Sequence, residues 1–375
     1  MSKLPAIILL ILVQIVVSCN QKPAKGETRI QGKNSVRHAR GLQISDFGGY
    51  SIVTIIDPWP NAANQYRYIL RKTGALVPDS LNLPIIDVPV KRIVVTSTTH
   101  IPSLEMLGVE NTLVGFPNLS YISSGNVRKM IGKGKIAELG VNQMLNTEVA
   151  IDLQPDVVVG FGIDDDNPGL RQLEKSGIKV MLNGDWNEQT PLGKAEWIKF
   201  FGALYGLEAR ADSIFNKIEE NYNAIKKMAN AASTKPTVLI GGMFETRWNV
   251  PRGDSWGAIF IRDAGGRYLW ADSRGTGSLS LPLEAVMEKA AAADAWIGPG
   301  QYSGLVEMDR ANPHYREFAA FKNRNVFMFR KGPTGGILYY EMAPNRPDMV
   351  LQDMVHILHP ELLPGYKPYF FERLK

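Results

Sequence analysis

Between residues 207 and 231 the apolar side chains Ile214, Phe215, Ile218, Tyr222, Ile225 and Met228 recur at intervals of three and four, with Glu219, Glu220, Lys226 and Lys227 on the other side. This spacing predicts one amphipathic helix, which at 1.5 Å per residue runs on the order of 37 Å. That is long enough to join two separate bodies. A chain of 375 residues also exceeds what a single core usually organises. The helix therefore divides the chain into two halves.

Each half alternates short β-branched runs with helical patterns. Before the helix, strands are expected over 92–96, 112–116, 156–160 and 178–182, with helices over 103–108, 147–153 and 168–176. After it, strands over 237–240, 295–297 and 326–329 alternate with helices over 255–263, 281–292, 314–319 and 346–358. Such alternation favours mostly parallel sheets covered by helices. The expected fold class is α/β: two Rossmann-like lobes joined by one long α-helix, with an N-terminal β-hairpin extension formed by 50–56 and 66–70. The halves also echo each other. Thr147-Glu148-Val149 starts a helix that leads into Pro155-Asp156-Val157, and Leu283-Glu284-Ala285 starts one that leads into Ala293-Asp294-Ala295.

At the other end of the chain, Lys3 is followed by an apolar run that closes on Val16-Val17-Ser18-Cys19. The run has the length of a signal-peptide core rather than of a permanent membrane span. It resembles a bacterial lipoprotein signal, which implies lipidation at Cys19. As the sole cysteine in the sequence, Cys19 has no intramolecular disulfide partner. The polar stretch that follows reads as a flexible tether. The expected divisions are a signal peptide at 1–18, a tether at 19–43, a β extension at 44–87, a first lobe at 88–205, the linker helix at 206–232 and a second lobe at 233–375. Lys and Arg number 42 against 37 Asp and Glu, an excess too thin and scattered to argue for nucleic acid.

Several segments resemble a known family. Lys91-Arg92-Ile93-Val94-Val95 leads to Leu104-Glu105-Met106-Leu107-Gly108, then Glu138-Leu139-Gly140, Asn146-Thr147-Glu148 and Gln154-Pro155-Asp156-Val157-Val158-Val159. Leu173-Glu174-Lys175-Ser176-Gly177-Ile178, Ala264-Gly265-Gly266 and Ile357-Leu358-His359-Pro360 follow in order. The chain thus resembles the type III, helical-linker substrate-binding proteins of ABC importers, whose cargoes include ferric siderophores, vitamin B12 and haem. The resemblance implies two α/β lobes that close only slightly, because a helical connector resists hinging. It also implies an ABC permease and its ATPase as partners, a periplasm-facing, membrane-anchored monomer, and one exposed glutamate per lobe, Glu148 and Glu284, that docks on the permease.

Ligands of open α/β sheets sit beyond the carboxyl ends of the strands. Among the loops so selected, the expected ligand-binding residues are Thr98, His100, Phe116, Tyr121, Trp186, Arg247, Trp248, Arg252, Trp256, Tyr302 and Tyr339. Their aromatic rings suit a large planar or chelated ligand, and the two arginines suit carboxylate or catecholate oxygens. Asp164-Asp165-Asp166 lacks the spacing of a calcium loop and reads as a turn. No histidine pair has metal-ligand spacing, so the expected cargo is a prechelated metal rather than a bare ion, with no resident cofactor or metal.

An exported lipoprotein hydrolase is the competing class, but Gly253-Asp254-Ser255, with no histidine base identified for its hydroxyl, reads as a turn and helix cap, and the sequence has no Walker loop. A purely structural lipoprotein would bind no small molecule tightly. The expectation is therefore a non-enzymatic carrier of a chelated metal, with a ferric siderophore first and cobalamin or haem as alternatives.

Overall fold

The β-branched runs of each half become the central strands of a five-stranded sheet. In the computed structural model, residues 33–375 are described apart from 143, 163–166 and 333–334. The leader with Cys19, the tether up to residue 32 and the Asp164-Asp165-Asp166 turn lie outside the described residues.

In the first lobe the sheet order is Val180–Leu182, Val157–Gly160, Ile93–Val95, Leu113–Phe116, Ala137–Glu138, and every pairing is parallel. In the second it is Arg267–Tyr268, Thr237–Ile240, Ala295–Ile297, Val326–Phe329, also parallel, closed by the antiparallel edge strand Phe371–Arg373. The central strands Ile93–Val95, Val157–Gly160 and Ala295–Ile297 are buried along their whole length, as continuous apolar runs covered on both faces should be.

The connector helix spans Glu208–Asn230. Its buried stripe changes owner midway. Ala211, Phe215 and Ile218 belong to the core of the first lobe, whereas Tyr222, Ile225 and Ala229 belong to that of the second. One amphipathic face thus serves two cores, and a charged side chain anywhere on it would disturb one lobe or the other. The helix Ile198–Tyr205, which precedes the connector, is buried at every position. Apolar at nearly every position apart from Lys199, it has no polar face to announce it in the sequence.

The N-terminal extension is larger than the hairpin expected from sequence. Tyr50–Ile55 and Tyr66–Lys72 do pair antiparallel, with Ile52 opposite Ile69. They form the centre of a five-stranded sheet completed by Lys33–Asn34, Leu42–Asp46 and Ile85–Val88. Alternate residues of these strands, among them Leu42, Ile44, Val53, Tyr68 and Ile86, join the core of the first lobe, so the sheet is fused to that lobe.

The tether expected over 19–43 is corrected at its end. From Lys33 onward the chain is pinned to the body. The buried Glu196 carboxylate accepts the backbone N–H groups of Arg37, His38 and Ala39 at 2.9, 2.5 and 2.9 Å, and Lys199 donates to the carbonyl of Ser35 at 2.7 Å. Much of the loop expected after Ile240 is instead an antiparallel sheet of Met243–Phe244, Arg247–Pro251 and Ser278–Leu281. Among the described residues no helix is long and apolar enough to cross a membrane.

Candidate functional site

The parallel strands of the two lobes end at a common junction, where the lobes pack together as one compact unit. From the first lobe, Thr98 follows the strand Ile93–Val95, and Ser120 and Tyr121 follow Leu113–Phe116. From the second, the loop after Val326–Phe329 brings Gly335, Gly336 and Ile337, and the helix Leu338–Met342 brings Tyr340 and Glu341. Together they line a cavity of about 540 Å3. Tyr121 and Tyr340 are 67% and 60% exposed, one from each lobe. With Thr98 and Ser120 they offer hydroxyl donors and acceptors over apolar rings, which suits a ligand with a polar rim and a broad apolar body. Beside it, a second cavity of about 640 Å3 is lined by Glu105, Ser123 and Ser124 from the first lobe and by Arg330, Lys331 and Glu341 from the second.

Asn345, Glu341 and Lys194 make contacts across the junction. Asn345 accepts from the Ser103 hydroxyl and donates to the Thr99 carbonyl, both at 2.7 Å. The Glu341 carboxylate accepts the backbone N–H groups of Ser123 at 2.5 Å and Ser124 at 2.9 Å. Lys194 sits 5.2 Å from the centre of the Trp256 ring.

Of the residues selected from sequence, Thr98 and Tyr121 meet in one cavity. Trp186 remains at its strand end, half-buried, with Nε1 donating to the Gly162 carbonyl and its ring against Phe161. Trp256 is half-buried between Lys194 and Tyr339. Tyr302 is also half-buried and packs on the second core.

Others are corrected. His100 is fully buried in the first turn of the helix His100–Leu107 and packs on Phe201, so its imidazole does not face the cleft. Burial pushes that imidazole below its ordinary pKa, against a pull from Asp185. Phe116 and Trp248 are buried core residues, and Trp248 stacks on Trp296 at 5.2 Å. Tyr339 is buried under Phe329, 4.5 Å away, and burial drives its phenol pKa upward. Arg247 is committed to the hydroxyl and carbonyl of Ser280, and Arg252 donates to the carbonyl of Arg274. Both guanidiniums thus brace the antiparallel sheet and its turn.

The residues that sequence reasoning missed are Glu341, Ser123, Ser124 and Asn345, which join the lobes. Only the glycine-rich stretch ending in Gly335-Gly336 signalled a close approach; a side chain on Gly336 would meet the Ser123 hydroxyl. Among the described residues no group of three or more His, Cys, Asp or Glu side chains is arranged to hold a metal ion. Glu148 and Glu284 are exposed, each in the first turn of its helix, Thr147–Asp152 and Leu283–Ala290. There an acid is also favoured by the helix dipole.

Comparison with known proteins bears on this architecture. Residues 93–332 match the family described as periplasmic binding protein. An uncharacterized lipoprotein of Methanocaldococcus jannaschii is 29% identical over 301 residues, covering 77% of this chain and 70% of its own. A second uncharacterized lipoprotein of that organism is 26% identical over 367 residues, covering 94% and 90%. Among solved structures, a periplasmic haem-binding protein from Pseudomonas aeruginosa has a TM-score of 0.58 at 20% identity, covering 76% of this chain and 98% of that one. A possible iron-binding periplasmic protein from Staphylococcus epidermidis has a TM-score of 0.57 at 18% identity, covering 72% and 99%. A structure from the Fe3+-hydroxamate transport system of Saccharomonospora viridis has a TM-score of 0.53 at 18% identity, covering 74% and 94%. At these identities the structures speak to the fold alone. With its parallel sheets, its single connector helix and the match over residues 93–332, this chain belongs to the periplasmic binding protein family in its helical-linker form.

Proposed function

We propose that this protein captures a chelated metal, a ferric siderophore before haem or cobalamin, between its lobes and delivers it unaltered to a membrane permease driven by an ATPase. The observation that carries this reading is the cavity of about 540 Å3 edged by Tyr121 and Tyr340 from opposite lobes. Phenol and hydroxyl groups from Tyr121, Tyr340, Thr98 and Ser120 match the oxygen-rich rim of a chelate, and the rings match its apolar body. Since no metal-holding cluster occurs among the described residues, a cargo that brings its own chelating atoms fits better than a bare ion. The names of the structural neighbours, haem-binding, iron-binding and Fe3+-hydroxamate transport, point to the same class.

Delivery is assigned to Glu148 and Glu284, one on each lobe, as acidic contacts for basic residues of the permease. Cys19 is assigned as the lipid attachment that holds the protein at the membrane. The test is titration of intrinsic tryptophan fluorescence with ferric hydroxamates, ferric catecholates, haemin and cyanocobalamin, confirmed by calorimetry. Saturable quenching by a ferric siderophore supports the reading, saturation by haemin or cyanocobalamin alone reassigns the cargo, and silence across the panel overturns it.

A further inference from the structure

The two cavities at the lobe junction share one wall. Glu341 lines both, and its carboxylate reaches across to the backbone N–H groups of Ser123 and Ser124. Ser124 is also the N-cap of the helix Gly125–Gly132, its hydroxyl accepting from Val127 N–H and donating to Glu105. A carboxylate of the second lobe thus occupies donors at a helix N-terminus of the first, a favourable place for negative charge. Glu341 itself stands on the short helix Leu338–Met342, after the glycine-rich loop that presses Gly336 against Ser123. The neighbouring Asn345 contact is buried and uncharged. The Glu341 contact lies at the cavity boundary and carries a titratable group.

We propose that Glu341 is a releasable clasp between the lobes: engaged, it divides the cleft into two cavities, and released, it joins them into one larger cargo site. The inference rests on the cleft reading above, but it concerns the empty protein. Each cavity alone falls within the range of about 300–1,000 Å3 usual for small molecules, so release admits a bulkier chelate than either would hold.

The clasp responds to protons in a definite direction. Burial raises the Glu341 carboxyl to about 7, and Glu105 pushes the same way, against the two N–H groups of Ser123 and Ser124 and the positive charge of Arg128. Arg330 and Lys331 from the adjoining loop, Tyr369 from the C-terminal segment and Tyr340 from its own helix complete the titratable and charged groups around it. Released into water, the carboxyl returns toward its ordinary 4.5. The engaged state therefore holds the proton more tightly than the released state. It is favoured at acid pH and loses that advantage as pH rises from 4.5 to about 7, by about three-hundredfold at most.

Hydrogen exchange of the cargo-free, full-length protein at pH 5.5 and 8.5, expressed as protection relative to the intrinsic rate, tests this. Wild-type amides over residues 122–126 should lose at least tenfold in protection at the higher pH. Glu341→Gln, which keeps one neutral acceptor oxygen for the two N–H groups and cannot ionise, should show protection that does not change with pH, and Glu341→Ala should be weakly protected at both. The connector helix should remain protected in all three, reporting an intact fold. A wild-type segment indifferent to pH, or a Gln variant that loosens like wild type, overturns the clasp. Because no ligand is added, failure of this test is distinct from failure of the cargo panel.

Discussion

The Lys194 ammonium donates to the carbonyls of Asp185 at 3.1 Å and Trp186 at 2.7 Å while facing the Trp256 ring of the other lobe. A first-lobe cation is thereby held by backbone carbonyls on one side and an aromatic face on the other. Burial lowers its pKa to about 8, with Asp185 and Glu188 pulling upward. The unfolded chain binds that proton more tightly, at the ordinary 10.5, so stability should rise as pH climbs from about 8 toward 10.5. Urea unfolding across that window should show the slope in wild type and its loss in Lys194→Met. The variant leaves two carbonyls without their donor, and at pH 7 a net loss of about 1–3 kcal/mol is expected.

Glu196 governs where the N-terminal segment joins the body. Burial raises its carboxyl, but the N–H groups of Ala39, His38 and Arg37, together with Lys199, outweigh burial and hold it below the ordinary value. Its contribution is therefore present above the unfolded-state pKa and is lost as pH falls through the lower folded value. Glu196→Gln should lose about 2–4 kcal/mol, because three part-buried N–H groups and the buried Lys199 ammonium lose their shared anion. Limited proteolysis should then cut between residues 33 and 41 well before the rest of the chain, and equal resistance in both proteins would refute the role.

If Glu148 and Glu284 dock on the permease as proposed, docking should separate from cargo capture. Both acids are exposed and lie outside the described cleft cavities. The Glu148→Arg, Glu284→Arg double variant should abolish uptake in cells while its affinity for cargo in solution stays within about twofold of wild type, the size of effect expected for surface charges remote from the ligand. A parallel loss of affinity would remove the docking assignment.

The α/β frame was legible because its signals are local. β-branched runs mark buried parallel strands, Gly108 closes its helix with positive φ, and the three-and-four spacing from Ile214 to Ile225 marks the connector. The helix Ile198–Tyr205 was not legible, since a fully buried helix has no polar side to set a period. The five-stranded N-terminal sheet was only half legible. Leu42–Asp46 is the hairpin partner of Tyr50–Ile55 across the turn Phe47-Gly48-Gly49, a local signal that went unread, whereas Ile85–Val88 pairs parallel to Tyr66–Lys72 across an intervening stretch, and such pairing leaves little local trace. The site shows the same limit. Strand ends pick out loops, but whether Trp248 faces the cleft or the core depends on the antiparallel sheet built from Arg247–Pro251 and Ser278–Leu281. Glu341 and Ser123 are separated by 218 residues, and nothing local in either announces the other.

That distinction between cleft and core gives the last prediction. Tyr121 and Tyr340 are exposed at the cavity, so replacing either by alanine removes ring contact with cargo and leaves the packed interior in place. Each change should weaken cargo binding by about tenfold, equivalent to about 1.4 kcal/mol, with thermal unfolding nearly unmoved. Trp248 is fully buried against Trp296, Tyr315 and Phe318, and its Nε1 donates to the Ile240 carbonyl. Trp248→Ala should therefore destabilise the second lobe by about 3–5 kcal/mol, the usual result of emptying a large aromatic site, and any loss of binding should follow the loss of fold. Affinity and melting temperature measured on the three variants form the check. If the tyrosine variants unfold early, or if Trp248→Ala binds poorly while melting like wild type, the division of these residues between cleft and core is wrong.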